Sequence, residues 1–127
     1  MSKSNKTGVI AVAIDKGKIS SHFGLCDHFL LFKTDGKSIN ETQEYANPGH
    51  RPCELPGLVA QWGADTIIAG NMGKSAGENS SLAGLNVIIG AKGDATEAVK
   101  ALLKGELTSQ GEFCDAWMCE FFFHECG

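Results

Sequence analysis

The sequence predicts one α/β domain, a mixed five-stranded sheet with helices on its faces. Three observations carry this. Short apolar runs rich in β-branched residues recur at 8–14, 66–69 and 86–90, each fit for a buried strand. Asp35-Gly36 separates two further strand-like runs, as in a hairpin. Amphipathic helical stripes occupy 55–62 and 95–103. Strands and helices therefore alternate in the second half, which demands parallel pairing with right-handed crossovers.

Taken in order, Gly8 to Ile14 reads as a first strand buried on both faces, and Asp15-Lys-Gly-Lys18 as a turn. A loop from Ser20 to Cys26 follows. Residues 28–34 form the second strand, and a third at about 37–45 pairs antiparallel to it. Leu55, Leu58, Val59 and Trp62 fall at i, i+3, i+4 and i+7, one stripe of a helix with Pro56 in its first turn and Gly63 at its end. Thr66 to Ala69 is the fourth strand. The turn Gly70 to Lys74 opens a second helix, weakly signalled because Gly77, Asn79, Ser80 and Ser81 are poor helix formers. Asn86 to Gly90 is the fifth strand. Asp94 and Glu97 make a capping-box-like start for a last helix on Ala95, Ala98, Val99, Leu102 and Leu103, stopped by Gly105. This arrangement fills residues 1–106 and leaves 107–127 as a tail of different composition.

At 127 residues, 43% hydrophobic and 20% charged, the chain can bury roughly 65–70% of its unfolded surface without disulfide staples. A net charge of -4 with no Lys/Arg run lacks the footprint of a nucleic-acid binder. No apolar stretch is long enough to span a membrane, and the polar start is unlike a signal peptide. The expectation is a cytoplasmic protein. In that reducing compartment five cysteines are unpaired thiols: buried hydrophobes, reactive groups or metal ligands.

The first chemical constellation is Ser21-His22-Phe23-Gly24 with Cys26 and His28. It lies in a loop at a strand end, where α/β sheets place ligands. His22 and Cys26 suit zinc, copper or iron–sulfur species, although their spacing matches no zinc signature and a structural role stands beside the metal one. The second is Asn47-Pro48-Gly49-His50-Arg51-Pro52-Cys53, just before a helix whose N-terminus would favour anions and lower a thiol pKa. The alternative there is a capping loop whose cysteine merely packs. The third is Gly70-Asn71-Met72-Gly73-Lys74, a glycine-bearing turn that lets backbone approach a ligand but lacks P-loop spacing. It could equally be a simple β-to-α turn. The fourth is the tail, where Cys114, Cys119, His124 and Cys126 sit among Trp117, Met118 and Phe121 to Phe123. Those four donors could close a tetrahedral site, yet the spacing is irregular. A packed strand or an apolar partner-binding patch fits as well.

Asp15 to Phe29, with Ser20-Ser21-His22-Phe23-Gly24 inside it, resembles the opening motif of the nitrogenase iron–molybdenum cofactor biosynthesis family. That family includes NifX-like carriers, the NifB C-terminal domain and orange-protein-type molybdenum–copper cluster binders. Gly63 to Gly73 is similar to the family's Gly-Val-Asp-x-Val-Ile-x-Gly-x-Met-Gly stretch, and Gly84-Leu85-Asn86-Val87 to its Gly-Ile-x-Val strand start. The likeness covers about 8–105. Lys74 to Asn79 departs from the family's usual better helix formers. The resemblance implies a ribonuclease-H-like fold and a role in holding or delivering an iron, molybdenum, copper or mixed-metal sulfide cluster.

On this reading Ser21, His22, Phe23, Gly24, Cys26, His50, Arg51, Cys53, Asn71, Met72 and Gly73 contact the cargo. His22, Cys26, His50 and Cys53 are metal ligands, and the tail donors form a second set. The partners are the cluster and the cluster-assembly or acceptor proteins, with no nucleic acid and no membrane. Two other readings compete: a regulatory module binding a protein through its aromatic tail, and a Cys/His enzyme using Cys26 or Cys53 as nucleophile. A nuclease would need clustered carboxylates, which the later strands lack.

Overall fold

The computed structural model describes residues 8–35, 38–47 and 54–107. Its elements are β1 (Gly8–Asp15), β2 (Lys18–Ile19), β3 (His28–Thr34), β4 (Ile39–Ala46), α1 (Leu55–Gln61), β5 (Thr66–Ile68), α2 (Lys74–Leu82), β6 (Asn86–Ile88) and α3 (Ala95–Leu103). The sheet order is β4-β3-β1-β5-β6, with β2 attached to β1.

β1 is the central strand, which is why its sequence is a continuous apolar run. It pairs antiparallel with β3 from Gly8↔Thr34 to Ile14↔His28 and parallel with β5 from Ile10↔Thr66 to Val12↔Ile68. β3 continues antiparallel to β4, and β5 parallel to β6. The mixed α/β sheet, antiparallel in its first half and parallel in its second, is the one the sequence predicts. One strand exceeds the expected five. Lys16 and Gly17 both have positive φ, 55° and 83°, as a two-residue hairpin loop of the twist-matched kind requires. They fold Lys18 and Ile19 back onto Asp15 and Ile14. The Asp-Lys-Gly-Lys signal was a hairpin and not only a turn.

Alternation along the strands sorts the core into two faces. On the first, Ala11, Ala13, Phe29, Leu31 and Ile67 pack against Leu55 and Val59 of α1 and Ala76 of α2. On the second, Ile10, Val12, Ile14, Phe32 and Ile68 meet Ala95, Ala98 and Val99 of α3. Alanines on the first face leave room for large rings. Phe23 and Phe29 lie 5.6 Å apart, Phe29 meets the Trp62 edge at 5.7 Å, and Trp62 stacks on Tyr45 at 4.4 Å. Trp62 does this from the C-cap of α1, one residue beyond the helix on which the sequence periodicity placed it.

The weak second helix forms because it is held by contact and not by propensity. Ala76, Gly77 and Ser80 are buried small residues, and Ser80 Oγ donates to the Ala76 carbonyl at 2.8 Å, the back-bond that satisfies a mid-helix hydroxyl. The third helix starts as its sequence indicates, with Asp94 accepting from the Glu97 N–H at 2.9 Å. Gly105 follows it at φ 78°. The expected strand or patch in the tail lies outside the described residues from 108 onward.

Phe29 is fully buried between α1 and the sheet. Phe29→Ala is expected to lower the unfolding free energy by about 3–5 kcal/mol. Leu82→Ser, at a position 85% exposed, should change it by no more than about 0.5 kcal/mol. Urea titration of the two variants checks the contrast.

Candidate functional site

β1, β5 and β6 run parallel, so their carboxyl ends deliver three loops to one end of the sheet: 20–27, 69–73 and 89–94. Backbone hydrogen bonds join these loops beyond the strands themselves. Ser20 N–H donates to the Ala13 carbonyl at 2.7 Å, Gly70 N–H to Ser20 at 2.8 Å, and Phe23 N–H to Asn71 at 2.8 Å. Gly90 N–H donates to Gly70 at 2.8 Å, and Ile19 N–H to Gly93 at 2.9 Å. The result is a zipped rim.

Gly70 is the pinch point of that rim. A Cβ there would lie 2.6 Å from Ser21 Cα and 2.9 Å from the Ser20 carbonyl oxygen. Both are backbone atoms and cannot move aside cheaply. The glycine that the sequence assigns to ligand approach is therefore already required for loop-to-loop approach.

His22 is set by Ser20, a residue the sequence reading left out of the site. Ser20 Oγ donates to the His22 carbonyl at 2.8 Å and accepts from the His22 N–H at 3.1 Å. Ser20 is itself buried. The signal available was a serine two residues before the histidine, the spacing of a serine side-chain turn. Phe23 is fully buried in the first-face core, so the chain on either side of the imidazole is anchored. Among the described residues, His22 Nδ1 is the buried side-chain nitrogen or oxygen with no hydrogen-bond partner. Such a group costs about 1–3 kcal/mol unless something satisfies it.

The other expected residues separate by depth. Ser21 is exposed, and Gly24 and Gly73 are buried. Met72 is fully buried in the first-face core and anchors its loop. Asn71 is half-buried, and its Oδ1 accepts from the Met72 N–H at 2.8 Å. Gly73 is the N-cap of α2 and brings no side-chain acceptor of its own to the helix start.

Cys26 points inward. It is 4% exposed, and burial pushes its thiol up to about 12, against the opposing pull of the Asn47 amide. Asn47 Nδ2 donates to the Cys26 carbonyl at 2.8 Å and lies 3.7 Å from its Sγ. Asn47 opens the second constellation of the sequence but is not among its expected cargo contacts. It ties the end of β4 to the first loop.

His50, Arg51 and Cys53, and the tail set Cys114, Cys119, His124 and Cys126, lie outside the described residues. The connection that holds the first three leaves β4 at Ala46, paired with His28, on the same end of the sheet as the rim. Among the described residues no group of three or more His, Cys, Asp and Glu is gathered to hold a metal ion. An open groove of about 520 Å³ lies at the opposite end of the sheet, lined by Gly8, Val9, Lys33, Thr34, Glu41 and Asp65 among others. It offers neither His nor Cys.

A small α/β domain with a zipped loop rim at the carboxyl end of its parallel strands is the class these features define. The chain belongs to the dinitrogenase iron-molybdenum cofactor family, whose model matches residues 6–105. An uncharacterised protein of Methanocaldococcus jannaschii is 27% identical over 103 residues, 77% of this chain and 87% of that one. Among solved structures, a candidate dinitrogenase of M. jannaschii superposes with a TM-score of 0.71 at 19% identity, covering 84% of this chain and 97% of that one. The apo orange protein of Desulfovibrio gigas does so with a TM-score of 0.69 at 20% identity, covering 81% and 92%. Both share the fold.

Two outcomes are expected from the rim. Gly70→Ala should force the first two loops apart and cost about 1–3 kcal/mol, with amide exchange rising at Gly70 and Phe23 ahead of β1. The Cys26 thiol should resist alkylation in the native state at pH 8 and react on unfolding. Its ordinary pKa is 9.0 and its folded value about 12, so above pH 9 the unfolded chain loses a proton that the folded one keeps. Its contribution to stability is complete below pH 9 and falls by about 1.4 kcal/mol per pH unit between pH 9 and 12. Comparing pH-dependent unfolding of the native chain with Cys26→Ala isolates that slope.

Proposed function

We propose that this protein binds and carries an iron/molybdenum-type metal–sulfur cluster or cofactor, as an assembly or delivery factor, at the loop rim. The observation that carries the reading is the buried, unpartnered Nδ1 of His22 on a loop pre-set by Ser20. A neutral imidazole is a good ligand for the metals of such clusters. A cluster brings its own sulfides and needs few protein donors. That suits a rim where no group of three donors is gathered among the described residues. Ser21, Gly24, Asn71 and Gly73 would line the cargo, while Phe23 and Met72 would act through their backbone. His50, Arg51 and Cys53 would reach it from the adjoining connection. Cys26 would join as a ligand only by losing a proton that its burial holds, so its share of binding should rise with pH. The tail donors Cys114, Cys119, His124 and Cys126 remain the second ligand set.

The same thiol supports a carrier over an enzyme. A buried cysteine protonated at neutral pH is a poor nucleophile. Partners on this reading are cluster-assembly or acceptor proteins. No helix among the described residues is long and apolar enough to cross a membrane.

Anaerobic incubation of the full chain with tetrathiomolybdate, and separately with isolated iron–molybdenum cofactor, tests the reading. Gel filtration should return coloured protein with bound molybdenum. His22→Ala should lose most of that colour with its circular dichroism unchanged. A native chain that stays colourless with both probes would sink the proposal.

A further inference from the structure

The two faces of the sheet are unequally covered. Five strands about 4.8 Å apart make a surface roughly 19 Å wide, and one helix with its side chains is about 10 Å across. Each face therefore calls for two elements. The first has them: α1 with Trp62 over β3 and β4, and α2 beside β6. The second has α3 alone among the described residues, lying against β1. Leu30 of β3 and Ile39 of β4, with Leu102 and Leu103 of α3 and Leu107 beyond it, pack on this face and are only half-buried.

Leu107 belongs to this strip and is the last described residue, so the chain leaves the domain on the strip itself. The segment 108–127 follows. It holds Phe113, Trp117, Met118, Phe121, Phe122 and Phe123, which include four of the seven phenylalanines of the chain. So many rings rarely face water without a partner. Reach is not limiting. β3 has seven residues, about 23 Å at 3.3 Å each, well within the span of the segment.

We propose that residues 108–127 fold back onto the second face beside α3 and cover Leu30, Ile39, Leu102 and Leu103. They take the place that α1 fills on the first face. α3 starts at the rim, at Asp94, and runs away from it. A segment returning beside it travels toward the rim. The docking stands independently of what the rim binds.

Two measurements on the full chain test this. In methyl NMR with a soluble paramagnetic agent, Leu30 and Ile39 methyls should be protected. Replacing Trp117, Phe121, Phe122 and Phe123 together by Ser should raise their relaxation enhancement several-fold and leave Leu58 and Val87 on the first face unchanged. In the second, Trp62→Phe leaves Trp117 as the only tryptophan. Its emission should be blue-shifted, and its quenching by acrylamide several-fold below that of free indole. The methyl experiment leaves residues 8–107 unaltered, and the fluorescence experiment leaves the tail unaltered. Leu30 and Ile39 indifferent to the tail substitutions, or a Trp117 as quenchable as free indole, would overturn the proposal. So would contacts between tail and strip that appear only between differently labelled chains in a mixed sample, which would assign the strip to a second copy.

Discussion

β1 has neighbours of opposite polarity, β3 antiparallel on one side and β5 parallel on the other. Most of the architecture follows from that. The antiparallel side can be connected by tight turns and needs no covering crossover. The parallel side cannot, and each of its connections must climb over a face as a helix. The polarity change also decides where loops collect. The carboxyl ends of β1, β5 and β6 point one way, and β4 ends and β3 begins at that same end. Three described loops therefore meet there, and the connection after β4 leaves from the same end.

Crowding at that end has a chemical cost that small residues remove. Ala11 and Ala13 lie beneath Phe23 and Phe29 in one core, so the first loop can be drawn down onto the sheet. Gly70 then lets the second loop touch the first backbone to backbone. Phe23 and Met72 act as plugs on either side of the contact. The rim is thus a set of peptide groups held by buried rings and a thioether. The imidazole of His22, with its buried and unpartnered Nδ1, sits on this framework.

Much of this was legible in the sequence. Continuous apolar runs marked the central strands, Asp35-Gly36 marked the β3–β4 connection, and Asp94 and Gly105 marked the ends of α3. The mixed pairing followed from the order of elements alone. What was not legible has a common cause. β2 has only two residues and is held partly by the Gly93 carbonyl, a partner far away in sequence. Cys26 lies in a loop with no periodicity, so nothing local tells whether its thiol faces water or core. Ser20 and Asn47 build the site through backbone groups, and such roles leave a residue type but no pattern. Trp62 was placed on the right stripe, yet its ring works from the cap, joining edge strand to core.

The double hydrogen bond from Ser20 to His22 bears on timing. A loop already held in one conformation gives up little entropy when something docks against it, so association is not slowed by ordering. On the carrier function proposed above, a loop set in advance would favour fast capture of the cargo.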